Sequence, residues 1–370
     1  MTKAESISSD ARWMREALSL ARRGRGRTAP GCMVGAVVVR AGRRIAGAYH
    51  AHVGGAHAES RALARVGGAA RGATLYVTLE PCAHFGHTPP CVDTVLAAGL
   101  GRVVVGMRDP DPRTDGASLR RLRRAGISVR VGIEQSACRA LNEGYLSRLE
   151  RGRPFTTLKL AASLDGRIAT SRGESRWITS AESRAFVHRL RRDADAVAVG
   201  SATALADDPR LSARIGGRVV HRPIRVVIDS GLTLPTRSKL LREPGSLWVL
   251  TARNAPKRAR ERLERLGARI VPAPVRAGRL DLAAAWRKLG ALGVNDLLVE
   301  GGGGLAAALL RAGLVDRLHL FLAPTLIGGD GRAMLASLGV ERLRDARALR
   351  DLRVRRLGCD LLLSAELGTK

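Results

Sequence analysis

Aromatic side chains are scarce in this chain of 370 residues: four Trp, three Tyr and four Phe, or 3% of the total. A core without them has to be filled by Leu, Val, Ile and Ala, and few rings are left for nucleic-acid bases to stack on. Cysteine is sparse too, and five is an odd count that argues against a disulfide framework. No apolar run approaches the roughly 20 residues of a membrane span. Met1 to Asp10 is polar and mixed in charge, without the apolar centre of a signal peptide, so a soluble, cytoplasmic protein is expected. Acidic residues are the last shortage: 33 against 63 Lys and Arg, for a net charge of +30.

That imbalance invites a nucleic-acid reading, but its distribution argues against one. Residues 1–150 carry 23 basic and 12 acidic side chains, leaving 40 and 21 for the rest. The excess is spread over both halves. Clusters such as Arg120-Arg121-Leu122-Arg123-Arg124 fit the solvated faces of amphipathic helices. A positive field still favours the capture of anionic, phosphate-bearing ligands.

What is present is a metal-site pattern. His57-Ala58-Glu59 is followed by Pro81-Cys82 and then Cys91. One imidazole and two thiolates suit Zn²⁺, and a three-ligand set leaves one position for water, whose pKa the ion lowers. Glu59, two residues after the histidine, is placed to take the water's proton and pass it to a leaving amine, the arrangement of zinc nucleobase deaminases. Helical composition over Ala58 to Val66, a β-rich run Thr74 to Leu79 and a helix from Cys91 to Ala98 predict ligands at two helix starts and one strand end. His84 and His87 read as loop or substrate-side residues.

At 370 residues the chain is too long for one ordinary core. A helix predicted over Ile133 to Glu150 is broken by Arg151-Gly152-Arg153-Pro154, placing domains at 1–150 and 151–370. Apolar runs alternate with helical segments on both sides, so each is read as α/β with a sheet core. In the second half the largely parallel sheet should bind ligands at its strands' carboxyl ends. There Leu297-Leu298-Val299-Glu300 runs into Gly301-Gly302-Gly303-Gly304 and a helix. Such a turn either brings backbone N–H groups close to a phosphate or simply starts the helix tightly.

The motif order resembles the bifunctional riboflavin-biosynthesis deaminase/reductase family over nearly the whole chain. The first half matches at His57-Ala58-Glu59, Thr78-Leu79-Glu80-Pro81-Cys82 and Thr88-Pro89-Pro90-Cys91. The second matches at Leu158-Lys159-Leu160-Ala161, Ser163-Leu164-Asp165-Gly166, Gly173 to Thr179, Asp207-Asp208-Pro209 and Val299-Glu300-Gly301-Gly302. The resemblance implies a cytidine-deaminase-like α/β/α domain, a dihydrofolate-reductase-like α/β domain and a homo-oligomer. It implies hydrolytic deamination of a phosphoribosylamino-pyrimidine, with His57, Cys82 and Cys91 on zinc and Glu59 moving protons. NADPH would then reduce the ribosyl group to ribityl. Ala161, Trp177, Thr203, Asp207, Ser230 and Gly301, Gly302, Gly303 and Gly304 would lie along NADPH. Ser175, Arg191, Leu211, Arg214 and Glu300 would hold the phosphorylated pyrimidine, the arginines suiting its phosphate. Lys159 and Asp165 match the pattern without an assigned step.

Departures concentrate in the first half. Gly31 and Cys32 stand where the family has Asn-Pro, Ala83 replaces a serine, His87 replaces an Arg or Lys, and Gly116-Ala117-Ser118 replaces Gly-Lys/Arg-Gly. They leave open a divergent paralogue whose reductase works and whose deaminase is weak or altered in substrate. A basic nucleic-acid deaminase or binding protein is the reading from another class.

Overall fold

The computed structural model describes residues 3–86 and 88–368. Two compact units emerge, Met1–Arg151 and Gly152–Lys370.

In the first unit, α1 (Lys3–Ala21) precedes β1 (Gly35–Arg40), β2 (Arg43–Tyr49), β3 (Thr74–Leu79), β4 (Arg102–Met107) and β5 (Ser128–Val131). These form a five-stranded sheet in the order β2-β1-β3-β4-β5, with β1 antiparallel to its neighbours and β3, β4 and β5 parallel. α2 (Ala58–Val66), α3 (Cys91–Ala97) and α4 (Ala117–Arg124) follow one another in contact, while α1 packs on β1 and β3. Strands covered on both faces read as unbroken apolar runs: Val37, Val38, Leu75, Val77 and Val103 to Val105 are fully buried. Gly35 permits the closest approach, since a Cβ there would lie 1.9 Å from the Ala17 carbonyl oxygen of α1.

Some of the arginine excess is spent inside this unit. Asp10, fully buried, accepts two bonds from Arg102 (2.9 and 2.7 Å), one from Arg130 (3.0 Å) and one from the Tyr76 hydroxyl (2.9 Å). The single helix expected over 133–150 is in fact two, α5 (Gln135–Leu141) and α6 (Glu143–Arg151). Asn142 sits at the break because its amide is engaged elsewhere. Its Oδ1 accepts from the Met33 N–H at 2.8 Å and its Nδ2 donates to the Met33 carbonyl at 2.9 Å, a competing backbone partnership that helix periodicity does not reveal.

The second unit runs β6 (Phe155–Ser163), β7 (Arg167–Ala169), α7 (Ala181–Asp193), β8 (Ala196–Gly200), α8 (Ser201–Asp207), β9 (Ala213–Ile215), β10 (Arg218–His221), β11 (Ile224–Ile228), α9 (Lys239–Arg242), β12 (Leu247–Ala252) and α10 (Lys257–Arg265). It continues with β13 (Ala268–Ala273), β14 (Val275–Arg276), β15 (Arg279–Leu280), α11 (Leu282–Ala291), β16 (Asp296–Val299), α12 (Gly303–Arg311), β17 (Arg317–Ala323), β18 (Arg332–Ala333), β19 (Leu349–Leu357) and β20 (Asp360–Leu367). Nine strands form one sheet, ordered β13-β12-β11-β8-β16-β6-β17-β20-β19. It is parallel from β13 to β17, and β20 and β19 extend it antiparallel. Separate apolar clusters cover it: Leu158, Leu297, Leu309 and Trp286 in one, Val197, Val227, Val249 and Leu298 in another. Trp286 is fully buried and its Nε1 donates to Thr156 Oγ1 at 2.9 Å, which satisfies the one polar atom of a large core side chain.

Two candidate active sites

In the first unit the end of β3 and the starts of α2 and α3 converge. His57 is the residue before α2, Cys91 opens α3, and Cys82 follows β3. Their ligand atoms all lie within 4.8 Å of one another: His57 Nδ1 is 3.1 Å from Cys91 Sγ and 3.5 Å from Cys82 Sγ. The Cys91 N–H donates to Cys82 Sγ at 3.2 Å. A side-chain hydrogen bond between the two sulfurs holds the Cys82 thiol down to about 4, with His57 assisting, and the same bond keeps the Cys91 proton in place well above the ordinary range. A soft, preassembled N/S/S set of this kind suits zinc.

Glu59 lies in the first turn of α2, 3% exposed, with Oε2 buried and lacking a partner among the described residues. Burial, reinforced by Cys82, holds its carboxyl up to about 7. An orphaned carboxylate oxygen beside a three-ligand set is what a proton-transfer group needs before its substrate arrives. Both border a cavity of about 540 Å³.

Sequence reasoning passed over His50. It follows β2, is 6% exposed, and its ring centroid lies 5.0 Å from that of His57. Its Nδ1 is 3.2 Å from the Cys32 carbonyl, and Nε2 is buried on the same cavity without a partner among the described residues. The only signal was its position, closing an apolar run ahead of the loop to His57.

The departures have local explanations. A Cβ on Gly31 would lie 3.0 Å from the Thr28 carbonyl oxygen and 3.6 Å from His50 Cε1, so Gly31 leaves its space to the imidazole. Cys32 lines the cavity, its thiol pushed well up by burial. The Ala117-Ser118 segment turns inward: Ser118 Oγ donates to Glu80 Oε1 at 2.7 Å, and the Gly116 and Asp109 N–H groups donate to Oε2 at 3.0 and 3.3 Å. The Ala83 N–H donates to Thr114 Oγ1 at 3.4 Å, and His84 Nδ1 is 3.2 Å from that hydroxyl. His84 is thus a loop residue outside the ligand set, and His87 lies outside the described residues.

The second unit holds a cavity of about 880 Å³ at the carboxyl ends of β8, β11 and β16. Ala161, Thr203, Asp207 and Gly301 to Gly304 line it, as do Ser175, Arg191, Leu211, Glu300 and Lys159. Arg191 grips Glu300 with two bonds, Nε to Oε1 at 2.6 Å and Nη2 to Oε2 at 2.9 Å. Burial opposes ionisation of Glu300, but Arg191 and then Lys159 outweigh it and hold the carboxyl below its usual range. Burial pulls Lys159 down, with Glu300 opposing. The Gly302 N–H donates to Thr203 Oγ1 at 3.2 Å. A Cβ on Gly303 would lie 2.7 Å from the Ala333 carbonyl oxygen, so glycine is needed there for close packing.

Three expected residues are not on that wall. Trp177 is 71% exposed, with the Arg184 guanidinium 4.6 Å over its ring. Ser230 accepts through its carbonyl from Thr251 Oγ1 at 2.9 Å. Arg214 donates its main-chain N–H to His188 Nδ1 at 3.1 Å. Asp165 organises a turn, accepting from Ser163 Oγ (2.5 Å) and the Ile327 and Gly328 N–H groups (3.2 and 2.7 Å).

Residues 7–107 match the family described as cytidine and deoxycytidylate deaminase zinc-binding region, and residues 154–363 match the RibD C-terminal domain. The chain is 42% identical over 365 residues to the riboflavin biosynthesis protein RibD of Escherichia coli, covering 96% of this chain and 98% of that one. It is 41% identical to RibD of Aquifex aeolicus, at 96% and 97% coverage. Among solved structures, Acinetobacter baumannii RibD superposes with a TM-score of 0.90 at 35% identity, covering 98% of this chain and all of that one. A Thermotoga maritima protein described as a diaminohydroxyphosphoribosylaminopyrimidine deaminase/5-amino-6-(5-phosphoribosylamino)uracil reductase follows with a TM-score of 0.85 at 32% identity, over 98% of this chain and all of that one.

Proposed function

The chain belongs to the RibD family of riboflavin-biosynthesis enzymes, and from that premise we propose how its residues divide the two reactions. It is a bifunctional enzyme, a zinc-dependent deaminase joined to an NADPH-dependent reductase. The converging His57, Cys82 and Cys91 beside Glu59, whose buried Oε2 has no partner among the described residues, carry the reading of the first site. Zinc, when bound, supplies the Lewis acidity that brings a water's pKa near neutrality. Glu59 takes the proton from the attacking water through its Oε2, which has no partner among the described residues, and returns it to the departing amine. His50 Nε2 offers one further polar contact to the pyrimidine in the same cavity. The substrate is 2,5-diamino-6-(5-phosphoribosylamino)pyrimidin-4(3H)-one, and the products are the uracil form and ammonia.

NADPH, when bound, supplies the hydride that reduces the ribosyl group to ribityl. Ala161, Thr203, Asp207 and the Gly301 to Gly304 turn lie along it, with Trp177 and Ser230 at the margin. Ser175, Leu211, Glu300 and the guanidiniums of Arg191 and Arg214 hold the substrate. Glu300 keeps Arg191 aimed through a bidentate pair.

Ammonia release by the zinc-loaded full chain, with Glu59→Ala as control, tests the first site. Release that persists in the variant overturns the assignment of Glu59. NADPH oxidation with the pre-deaminated substrate tests the second.

Two further features complete the proposal. NADPH and phosphorylated intermediates are cytosolic metabolites, so the enzyme works in the cytoplasm. It self-associates through β19, the last strand of its sheet, where Leu352 and Val354 are 55% and 61% exposed. Light scattering should report an oligomer that Val354→Lys weakens; an unchanged mass for the variant rejects that edge.

A further inference from the structure

His188 and Arg191 sit one turn apart on α7, and both reach the segment that leads into β9. Arg191 Nη1 donates to the Ser212 carbonyl at 3.3 Å. The Arg214 N–H donates to His188 Nδ1 at 3.1 Å, a bond that uses the Nδ1 lone pair of a neutral imidazole. Two atoms of this segment, Arg214 Nε and Ser212 Oγ, are buried without a partner among the described residues. Buried polar groups are seldom left unmet. Arg214 Nε is thus a spare donor, and each Nη of Arg191 keeps one N–H beyond its bonds to Glu300 and Ser212, so the two guanidiniums beside one imidazole can both donate to an anion.

We propose that His188 is a positioning residue for the reductase's phosphorylated substrate, holding the main chain of Arg214 so that Arg214 and Arg191 meet one phosphate. The proposal rests on the reading that these two arginines hold that phosphate. Protonation would remove the Nδ1 acceptor. It would also set a cation against Arg191 on α7 and Arg214 on β9, with Glu300 after β16 as the opposing charge. Arg218 and His221 on β10, which also packs on α7, add no negative charge. Burial, then the two arginines, hold His188 below its ordinary 6.5. The bond is therefore intact at neutral pH and is lost as the pH falls below 6.5 through that lowered value.

The test is steady-state reduction of the pre-deaminated substrate by full-length wild type, His188→Leu, His188→Asn and Arg214→Ala. His188→Leu should raise KM for the phosphorylated substrate about 10-fold while kcat and the KM for NADPH stay within about twofold, the loss of one oriented contact. His188→Asn, whose new amide oxygen also accepts from the Arg214 N–H, should recover KM to within about threefold. The substrate phosphate titrates identically for both proteins. The wild-type KM divided by the His188→Asn KM therefore isolates the imidazole, and this ratio should rise on acidification. The proposal is overturned if His188→Leu leaves KM unchanged, if it raises both KM values alike, or if that ratio stays flat with pH. Should the His188→Leu variant fail to fold, the ratio alone decides. Arg214→Ala with an unchanged KM sinks the underlying phosphate reading; a raised KM there with a silent His188→Leu sinks only the role of His188.

Discussion

Glu59 differs from every other carboxylate of the first unit by having a buried oxygen with nothing to bond among the described residues. Glu80, equally hidden, accepts from Ser118 through Oε1 and from Gly116 and Asp109 through Oε2, so both of its oxygens are engaged in fixing a loop. The contrast supports the proposed proton transfer for Glu59 and leaves Glu80 a scaffolding part. Glu59→Gln keeps the shape and loses the base, so ammonia release should fall by roughly 10²–10⁴-fold while zinc content by metal analysis stays that of wild type. Ser118→Ala should leave deamination chemistry in place but remove a buried donor from Glu80. The expected loss of stability, about 1–3 kcal/mol, is read from denaturant unfolding of the deaminase unit. The His57, Cys82, Cys91 and Glu59 pattern was legible because each role is carried by residue type and short spacing. His50 was not: its importance comes from a ring 5.0 Å from His57, a proximity that seven residues of separation do not announce.

At the scale of elements, the break between α5 and α6 shows how a distant partner overrides local pattern. Periodicity from Ile133 to Glu150 describes one helix; the two bonds between Asn142 and the Met33 backbone make it two. Those bonds also anchor the strand entry that carries Gly31 and Cys32 past the cavity. Asn142→Leu removes both partners of a buried main-chain pair and should destabilise the first unit by about 2–4 kcal/mol, seen as a lower denaturant midpoint. An unchanged midpoint would mean that helix continuity, restored by leucine, offsets the lost bonds. The strand-to-helix turn at Gly301 to Gly304 was readable as a close-approach site. That Gly303 answers to the Ala333 carbonyl and Gly302 to Thr203 needed the fold, since both partners come from other elements.

For the whole molecule, each cavity is built from side chains of a single unit, so the two activities should separate cleanly. Stripping zinc with a chelator, or replacing Cys82 with Ala, should abolish ammonia release and leave NADPH oxidation on pre-deaminated substrate within about twofold of wild type. Loss of both activities would show that the first unit's metal supports the second unit's fold. By itself the sequence determined the α/β class of both halves and the family, and it picked out His57, Cys82 and Cys91 as a candidate ligand set, because these depend on residue type, run length and spacing along a local stretch. Only the tertiary structure decided which carboxylate is left unsatisfied, that Arg191 is locked on Glu300, that Asp165 holds a turn, and that His188 meets Arg214. Each of those depends on groups far apart in the chain, whose pairing is set by strand order and helix packing and leaves no periodic trace in composition.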